Sequence, residues 1–121
     1  RLLNGAETPE SAARALVAIA VEAGGIEPRQ AYPLAAFGED SEARLVNWLN
    51  EVLYYLDGEH VALCRFQVNA LEGNGVAGMA WGEPRDARRH PARVVVKAAT
   101  YHQLSIRNEG RQWVCEVYLD I

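Results

Sequence analysis

Cysteine is scarce in this chain of 121 residues, which contains only Cys64 and Cys115. Neither cysteine belongs to a CxxC pair or to a His–Cys pair with the spacing of a zinc site. Both fall in strand-like stretches among alternating apolar residues, so each is predicted to behave as a small core hydrophobe. The cysteines therefore favour neither a disulfide scaffold nor a zinc domain, and the cytoplasm is the expected compartment.

Long apolar runs are missing as well. The longest mainly apolar stretch, ARALVAIAVEAGG, is interrupted by Arg14 and Glu22 and is too short to span a bilayer. No signal peptide is recognisable in the sequence. We therefore expect no membrane association.

An excess of positive charge is also absent, because 12 Lys and Arg residues face 16 Asp and Glu residues and give a formal net charge of −4. Proteins that hold nucleic acid by charge alone usually carry a basic face. The one dense basic stretch, PRDARRHPAR, has no aromatic residues between its arginines to act as stacking platforms. We interpret it as a solvated loop in preference to a nucleic-acid contact, and we expect no direct, tight binding of RNA or DNA.

Phosphate-binding loops and nucleophile motifs are not recognisable either. The glycine-containing stretches LNGAE, AFGED and GNGVAG lack the lysine and the hydroxyl residue that a P-loop needs. No serine or cysteine stands in the sequence context of a nucleophile elbow or a triad. Nucleotide binding and nucleophilic hydrolysis therefore have no support from motifs.

The first half of the chain has the periodicity of two amphipathic helices. Thr8 as N-cap and Pro9 at the first helical position open the first helix, and Gly24–Gly25 is its expected stop. Asp40 opens the second helix, which is expected to stop at Asp57–Gly58. The aromatic residues of the second helix are interpreted as core rather than as a binding box; they are Trp48, Tyr54 and Tyr55.

The second half of the chain has a period of two, with hairpin connections at EGNG and NEG. QAYPLAAFG is predicted to be an edge strand because Pro33 cannot donate to a ladder, and RLLNG is typical of the tail of a strand. Helices early and antiparallel strands late predict an α+β fold, in which two helices pack on a mostly antiparallel β-sheet. No linker divides the chain, so residues 1–121 are expected to form one domain.

Two short segments concentrate the residues that could carry chemistry. KAATYHQLSI brings together Lys97, Thr100, Tyr101 and His102, and the last strand places Asp120 on its polar face. Asp120 also adjoins the α-carboxylate of Ile121, if the natural chain ends there. Two carboxylates that lie so close repel each other, and a hard cation such as Ca²⁺ or Mg²⁺ relieves the repulsion. The pair alone supplies too few oxygens for a complete calcium site.

The same segments resemble the archease family. RLVNWLNEVLYYLDGEHVALCRFQV is similar to the central helix and strand of that family, and GAETPESAARAL fits its first helix. VKAATYHQLSI resembles the most recognisable motif of the family, and VYLDI resembles its C-terminal signature. The resemblance covers essentially the whole chain, in the order of the family.

The resemblance implies a small cytosolic accessory protein, rather than an enzyme, that serves the RNA-splicing ligase. Its implied role is to promote GTP-dependent guanylylation of that ligase and its repeated turnover in tRNA splicing and RNA repair. It also implies a divalent metal, calcium first with magnesium or manganese as alternatives, bound by Asp120 and Ile121. The remaining motif residues become candidates for contact with the ligase; they are Lys97, Thr100, Tyr101 and His102.

A second metal-binding aspartate is expected from the resemblance, in a His-Thr-Ala-Asp stretch on the first strand. This sequence does not contain that stretch, and its place would be before Arg1. The expectation is therefore that the first strand, with its metal ligand, is incomplete here.

Two functions of other classes stay open. A small metal-dependent hydrolase would use His102 and Asp120 and would turn over a substrate without a partner. A chaperone-like binding module would shield hydrophobic surface, accept many clients and need no metal.

Overall fold

The computed structural model describes residues 2–6, 9–110 and 112–121. A short 3₁₀ turn, Ala23–Gly25, follows the first helix, and a π-helical turn, Tyr54–Gly58, extends the second. In chain order the elements are β1 (Leu2–Ala6), α1 (Pro9–Ala20), β2 (Gln30–Phe37), α2 (Ser41–Leu53), β3 (Val61–Glu72), β4 (Gly75–Pro84), β5 (Ala98–Glu109) and β6 (Gln112–Asp120).

The strands form two antiparallel sheets of three strands each. One sheet has the order β1–β6–β5 and the other the order β2–β4–β3. The expected α+β class, with two helices and antiparallel strands, is confirmed, although the strands divide between two sheets instead of sharing one. None of the helices in the described part of the chain is both long and apolar enough to cross a membrane.

Helix α1 begins at Pro9 as predicted but ends earlier than the sequence indicates. Its last residue is Ala20, and Val21 already forms an antiparallel bridge with Ala92. The C=O of Ala20 accepts the N–H of Arg93. The segment after β4 therefore supplies a hydrogen-bond donor to the last residue of the helix. Thr8, the predicted N-cap, lies outside the described residues.

Helix α2 is opened by Asp40, whose carboxylate accepts the N–H of Ala43 at 2.7 Å, as predicted. Trp48 is completely buried and belongs to the core. Tyr54, in contrast, is 53% exposed, and its hydroxyl donates to Glu59. The interpretation of the helical aromatics as core is therefore confirmed for Trp48 and wrong for Tyr54.

Edge and hairpin positions agree with the local sequence signals. β2, which contains Pro33, lies at the edge of its sheet. Gly73 and Gly110 have φ values of +54° and +65° in the two hairpin turns, where an L side chain would be strained. The alternation of β3 is less regular than predicted, because register shifts interrupt its pairing with β4 and leave Ala70 exposed.

The core lies where both helices pack on the two sheets. The apolar stripes of α1 and α2 meet side chains from β3, β4 and β6, and Cys64 of β3 is a half-buried free thiol packed against them. The largest completely or almost completely buried apolar side chains are Leu16, Val17, Val21, Leu34, Val46, Trp48, Leu49, Val52, Leu56, Leu63 and Val117.

The basic stretch after β4 is mostly exposed to solvent, as predicted, but it also binds the protein's own backbone and side chains. Arg85 donates to the C=O of Leu56 at 3.1 Å, and Arg93 donates to the C=O of Ala18 at 3.3 Å. Arg89 forms an ion pair with Glu83 at 2.8 Å. The partners of Arg85 and Arg93 are distant along the chain and leave no local trace in the sequence.

Glu83, near the end of β4, organises this stretch from a buried position. Its relative exposure is 3%, and its carboxylate accepts the N–H of Glu27 at 2.8 Å and two N–H groups of Arg89 at 2.8 and 3.0 Å. The N–H of Glu27 first, and then Arg89 and His90, outweigh the effect of burial and lower the pKa of Glu83 from 4.5 to about 2.

His90 completes the arrangement on the buried side. Its Nδ1 accepts the N–H of Asp86 at 2.9 Å, and its Nε2 lies 3.0 Å from the carboxylate of Glu83. Because a ring nitrogen that accepts a hydrogen bond carries no proton, the ring proton lies on Nε2, which donates to Glu83. The buried carboxylate thus has a donor on each side.

Glu83→Gln keeps the size of the side chain and removes its charge. We expect the variant to unfold at a lower urea concentration than the wild type at pH 7, because Arg89 loses the closer and more buried of its two carboxylate partners. Since the pKa of Glu83 is lowered, its stabilisation is present above about pH 4.5 and is lost as the pH falls towards about 2. Urea titrations followed by circular dichroism from pH 7 to pH 3 should show the difference between the two proteins shrinking.

Glu27→Gln is the matched control for this prediction. The carboxylate of Glu27 is 55% exposed and pairs with Arg29 near solvent, so its loss should have a small, salt-sensitive effect. A difference between Glu83→Gln and wild type that does not change with pH, or an equal effect of Glu27→Gln, would contradict the role given to Glu83.

Candidate functional site

The two segments singled out in the sequence meet at one end of the β1–β6–β5 sheet. Ala98 at the start of β5 pairs with Asp120 at the end of β6, and Thr100 pairs with Tyr118. Immediately before β5, the N–H of Lys97 donates to the C=O of Asp120 at 2.7 Å. Residues 97–100 and 118–121 therefore form one site, which we call the β5–β6 end.

Residues of opposite charge, Lys97 and Asp120, are joined through their backbones at the β5–β6 end. The side chains of Lys97 and Asp120 are both exposed, and within the described part of the chain neither has an ion-pair partner within 4 Å. Lys97 is also the only lysine of the chain. Ile121 follows with 58% of its surface exposed. The site thus presents an ammonium group and a carboxylate that are both available to a partner.

Thr100 has a different role from the charged pair. Its hydroxyl donates to the C=O of Tyr118 at 3.3 Å, which adds a side-chain bond to the pairing of β5 with β6. Its side chain is only half-exposed. Thr100 therefore helps to hold the two strands together at the site.

A bulge follows directly after Thr100. Five residue steps separate Thr100 from Ser105 on β5, whereas two steps separate their partners Tyr118 and Glu116 on β6. Bulges of this kind redirect side chains and are common beside functional sites. The bulge contains positions 101 and 102, so the second half of the predicted motif leaves the regular ladder. The side chains of Tyr101 and His102 lie outside the described part.

Asn50 of α2 supports the β5–β6 end from the helix side. Its Oδ1 accepts the N–H of Ala99 at 2.7 Å, and its Nδ2 donates to the C=O of Ala99 at 3.2 Å. Sequence reasoning missed this residue. The available signal was a polar side chain between the apolar residues Leu49 and Val52, but nothing in the sequence indicated which strand it would meet.

A metal fits the described residues only in part. The carboxylate of Asp120 and, if Ile121 ends the natural chain, its α-carboxylate are the hard oxygen ligands that Ca²⁺ and Mg²⁺ prefer. Calcium takes about six to eight oxygens, more than these two groups supply. Throughout residues 2–6, 9–110 and 112–121, no group of three or more His, Cys, Asp or Glu side chains could hold a metal ion. The described residues do not complete a metal site by themselves.

Comparison with known proteins gives consistent relatives over nearly the whole chain. The model of the archease protein family (MTH1598/TM1083) matches residues 4–121. "Protein archease" of Sulfurisphaera tokodaii is 35% identical over 116 residues, which cover 95% of this chain and 84% of that protein. "Protein archease" of Methanopyrus kandleri is 35% identical over 123 residues, which cover 96% and 88% respectively.

Solved structures agree with the fold. The solution structure of protein 1598 from Methanobacterium thermoautotrophicum has a TM-score of 0.79 and 27% identity, and the match covers 99% of this chain and 89% of that one. The crystal structure of an archease, possible chaperone, from Thermotoga maritima has a TM-score of 0.66. Its identity of 20%, with coverage of 100% and 88%, shows similarity of fold alone. On the family match and the two archease relatives, the chain belongs to the archease family.

Proposed function

We propose that this protein activates an RNA-splicing ligase in the cytoplasm. It promotes the GTP-dependent guanylylation of the ligase and allows the ligase to turn over repeatedly in tRNA splicing and RNA repair. In this role it acts on a protein partner and catalyses no reaction of its own. The observation that carries the proposal is the exposed pair of Lys97 and Asp120 at the β5–β6 end of an archease chain.

The charges of the β5–β6 end suit contact with a ligase that handles GTP. An ammonium group binds phosphate and carboxylate oxygens as a point charge, and Lys97 has no competing ion-pair partner in the described part of the chain. Thr100 keeps Lys97 beside Asp120 by bonding to the opposite strand. Tyr101 and His102, which follow Thr100 in the chain, stay candidates for contact with the ligase.

We also propose that the β5–β6 end binds a divalent cation. Calcium, or alternatively magnesium or manganese, would be held by Asp120 and by the α-carboxylate of Ile121. The remaining oxygens would have to come from water or from groups outside the described residues. The cation would then neutralise two adjacent carboxylates and would leave the ammonium group of Lys97 unchanged.

Ligation by the organism's own RNA-splicing ligase tests the function. The purified ligase, GTP, divalent metal and RNA ends would be combined with this protein at substoichiometric and equal amounts. We expect many ligations per ligase molecule with the wild type, and about tenfold fewer or less with Lys97→Met or Asp120→Asn, because each variant removes one charge of the pair.

Glu39→Gln serves as the control, since Glu39 is an exposed carboxylate in the loop between β2 and α2. It should activate like the wild type. Ligation that the wild-type protein leaves unchanged would refute the proposed function. Equal activation by the wild type and both charge variants would refute the role of the β5–β6 end.

Metal binding gives a separate prediction. Titration of the metal-free protein with CaCl₂ or MnCl₂ in a calorimeter should show binding that Asp120→Asn weakens about tenfold or more, because a ligand of the cation loses its charge. Lys97→Met should bind at least as tightly as the wild type, since it removes a neighbouring positive charge. Equal affinity of the wild type and Asp120→Asn would place the cation elsewhere or exclude it from this chain.

A further inference from the structure

Asn50 forms a pair of hydrogen bonds with a single residue of a distant strand. Both the N–H and the C=O of Ala99 bind its side-chain amide, at 2.7 and 3.2 Å, and Ala99 itself is 4% exposed. A side-chain amide carries the same donor and acceptor as a peptide group, so it can take the place of a neighbouring strand. Asn50 does this at β5, which is an edge strand of its sheet.

The segment that Asn50 holds has few other bonds to keep it in place. Before the bulge, β5 pairs with β6 only at residues 98–100, and Lys97 adds its N–H bond to Asp120. Short edge segments open more readily than central strands because fewer bonds must break together. Two additional bonds at Ala99, in the middle of this short ladder, therefore restrict where Lys97 lies relative to Asp120.

Asn47, one turn earlier on α2, also uses its side-chain amide to bind the backbone of a strand, but of a different strand. Its Nδ2 donates to the C=O of Phe37, at the end of β2 in the other sheet. Asn47 is exposed and has no bond to the β5–β6 end among the contacts described. The two asparagines share residue type and helix, and they differ in the strand that they support.

We propose that Asn50 is a positioning residue for the β5–β6 end. By binding both backbone groups of Ala99, it holds Lys97 in register with Asp120 and so presents the two charges to the ligase in a fixed arrangement. The inference rests on the proposed function. Preorganised charges lose effect when they are displaced by about 1 Å, so the loss of Asn50 should act on activation without touching either charge.

A single amide signal can report this arrangement, because Lys97 is the only lysine of the chain. Protein labelled with ¹⁵N-lysine should give one backbone amide resonance from this chain, that of the N–H bonded to Asp120. In Asn50→Ala we expect faster hydrogen exchange and a changed chemical shift for this resonance. In Asn47→Ala both should equal the wild-type values.

Activation measured against protein concentration supplies the functional arm. In Asn50→Ala we expect the ligase turnover reached at saturating protein to fall about tenfold, with Asn47→Ala remaining at the wild-type level. A merely structural loss of folded protein would instead shift the concentration needed and leave the saturating turnover unchanged. Asn50→Asp, which has nearly the same size and keeps the acceptor for the N–H of Ala99, should show a smaller fall and replaces Asn50→Ala if that variant does not fold.

The two arms separate failure of the inference from failure of the function. An unchanged Lys97 resonance in the Asn50 variant would overturn the positioning role, whatever the ligase does. A changed resonance with unaltered saturating turnover would overturn it as well. If the wild type itself does not activate the ligase, the proposed function fails, and a changed Lys97 resonance would still support Asn50 as the residue that orders this end.

Discussion

Two three-stranded sheets leave four strand edges, and the backbone N–H and C=O groups along those edges need partners. Polar side chains on and just after the helices supply partners on three of these edges. Glu10 of α1 accepts the N–H of Val68 on β3, Tyr55 after α2 donates to the C=O of Pro33 on β2, and Asn50 binds Ala99 on β5. The apolar stripes of the helices bury the core, while their polar side chains fasten the edges. The arrangement of the two sheets depends on both the apolar contacts and the polar ones.

Local chemistry explains what the sequence could predict. Pro9 and Asp40 begin helices, Pro33 marks an edge strand, and glycines at positive φ close the two hairpins, because each acts on its immediate neighbours. The alternation of β6 placed Asp120 on the exposed face correctly. The family motifs identified both strands of the β5–β6 end, and the register of β5 with β6 brings the two motifs together.

Partners that are distant along the chain explain what the sequence could not predict. The attachment of the basic stretch depends on Leu56 and Ala18, which accept bonds from Arg85 and Arg93, and α1 looks longer until Ala92 pairs with Val21. The bulge after Thr100 appears only in the register of β5 with β6, which alternation alone cannot show. The role of Asn50 likewise depends on its hydrogen bonds with Ala99, which lies 49 positions away. Each of these features is a tertiary contact that overrides a local pattern.

If the β5–β6 end faces the RNA-splicing ligase, as proposed, binding of the ligase must change the surroundings of Lys97. The most direct measurement is a titration of ¹⁵N-lysine-labelled protein with unlabelled ligase, followed through the single Lys97 amide resonance. We expect a saturable shift or broadening of that resonance at the ligase concentrations that give activation, and a weaker response in Asp120→Asn. A Lys97 resonance that stays unchanged while the ligase is activated would show that another surface makes the contact.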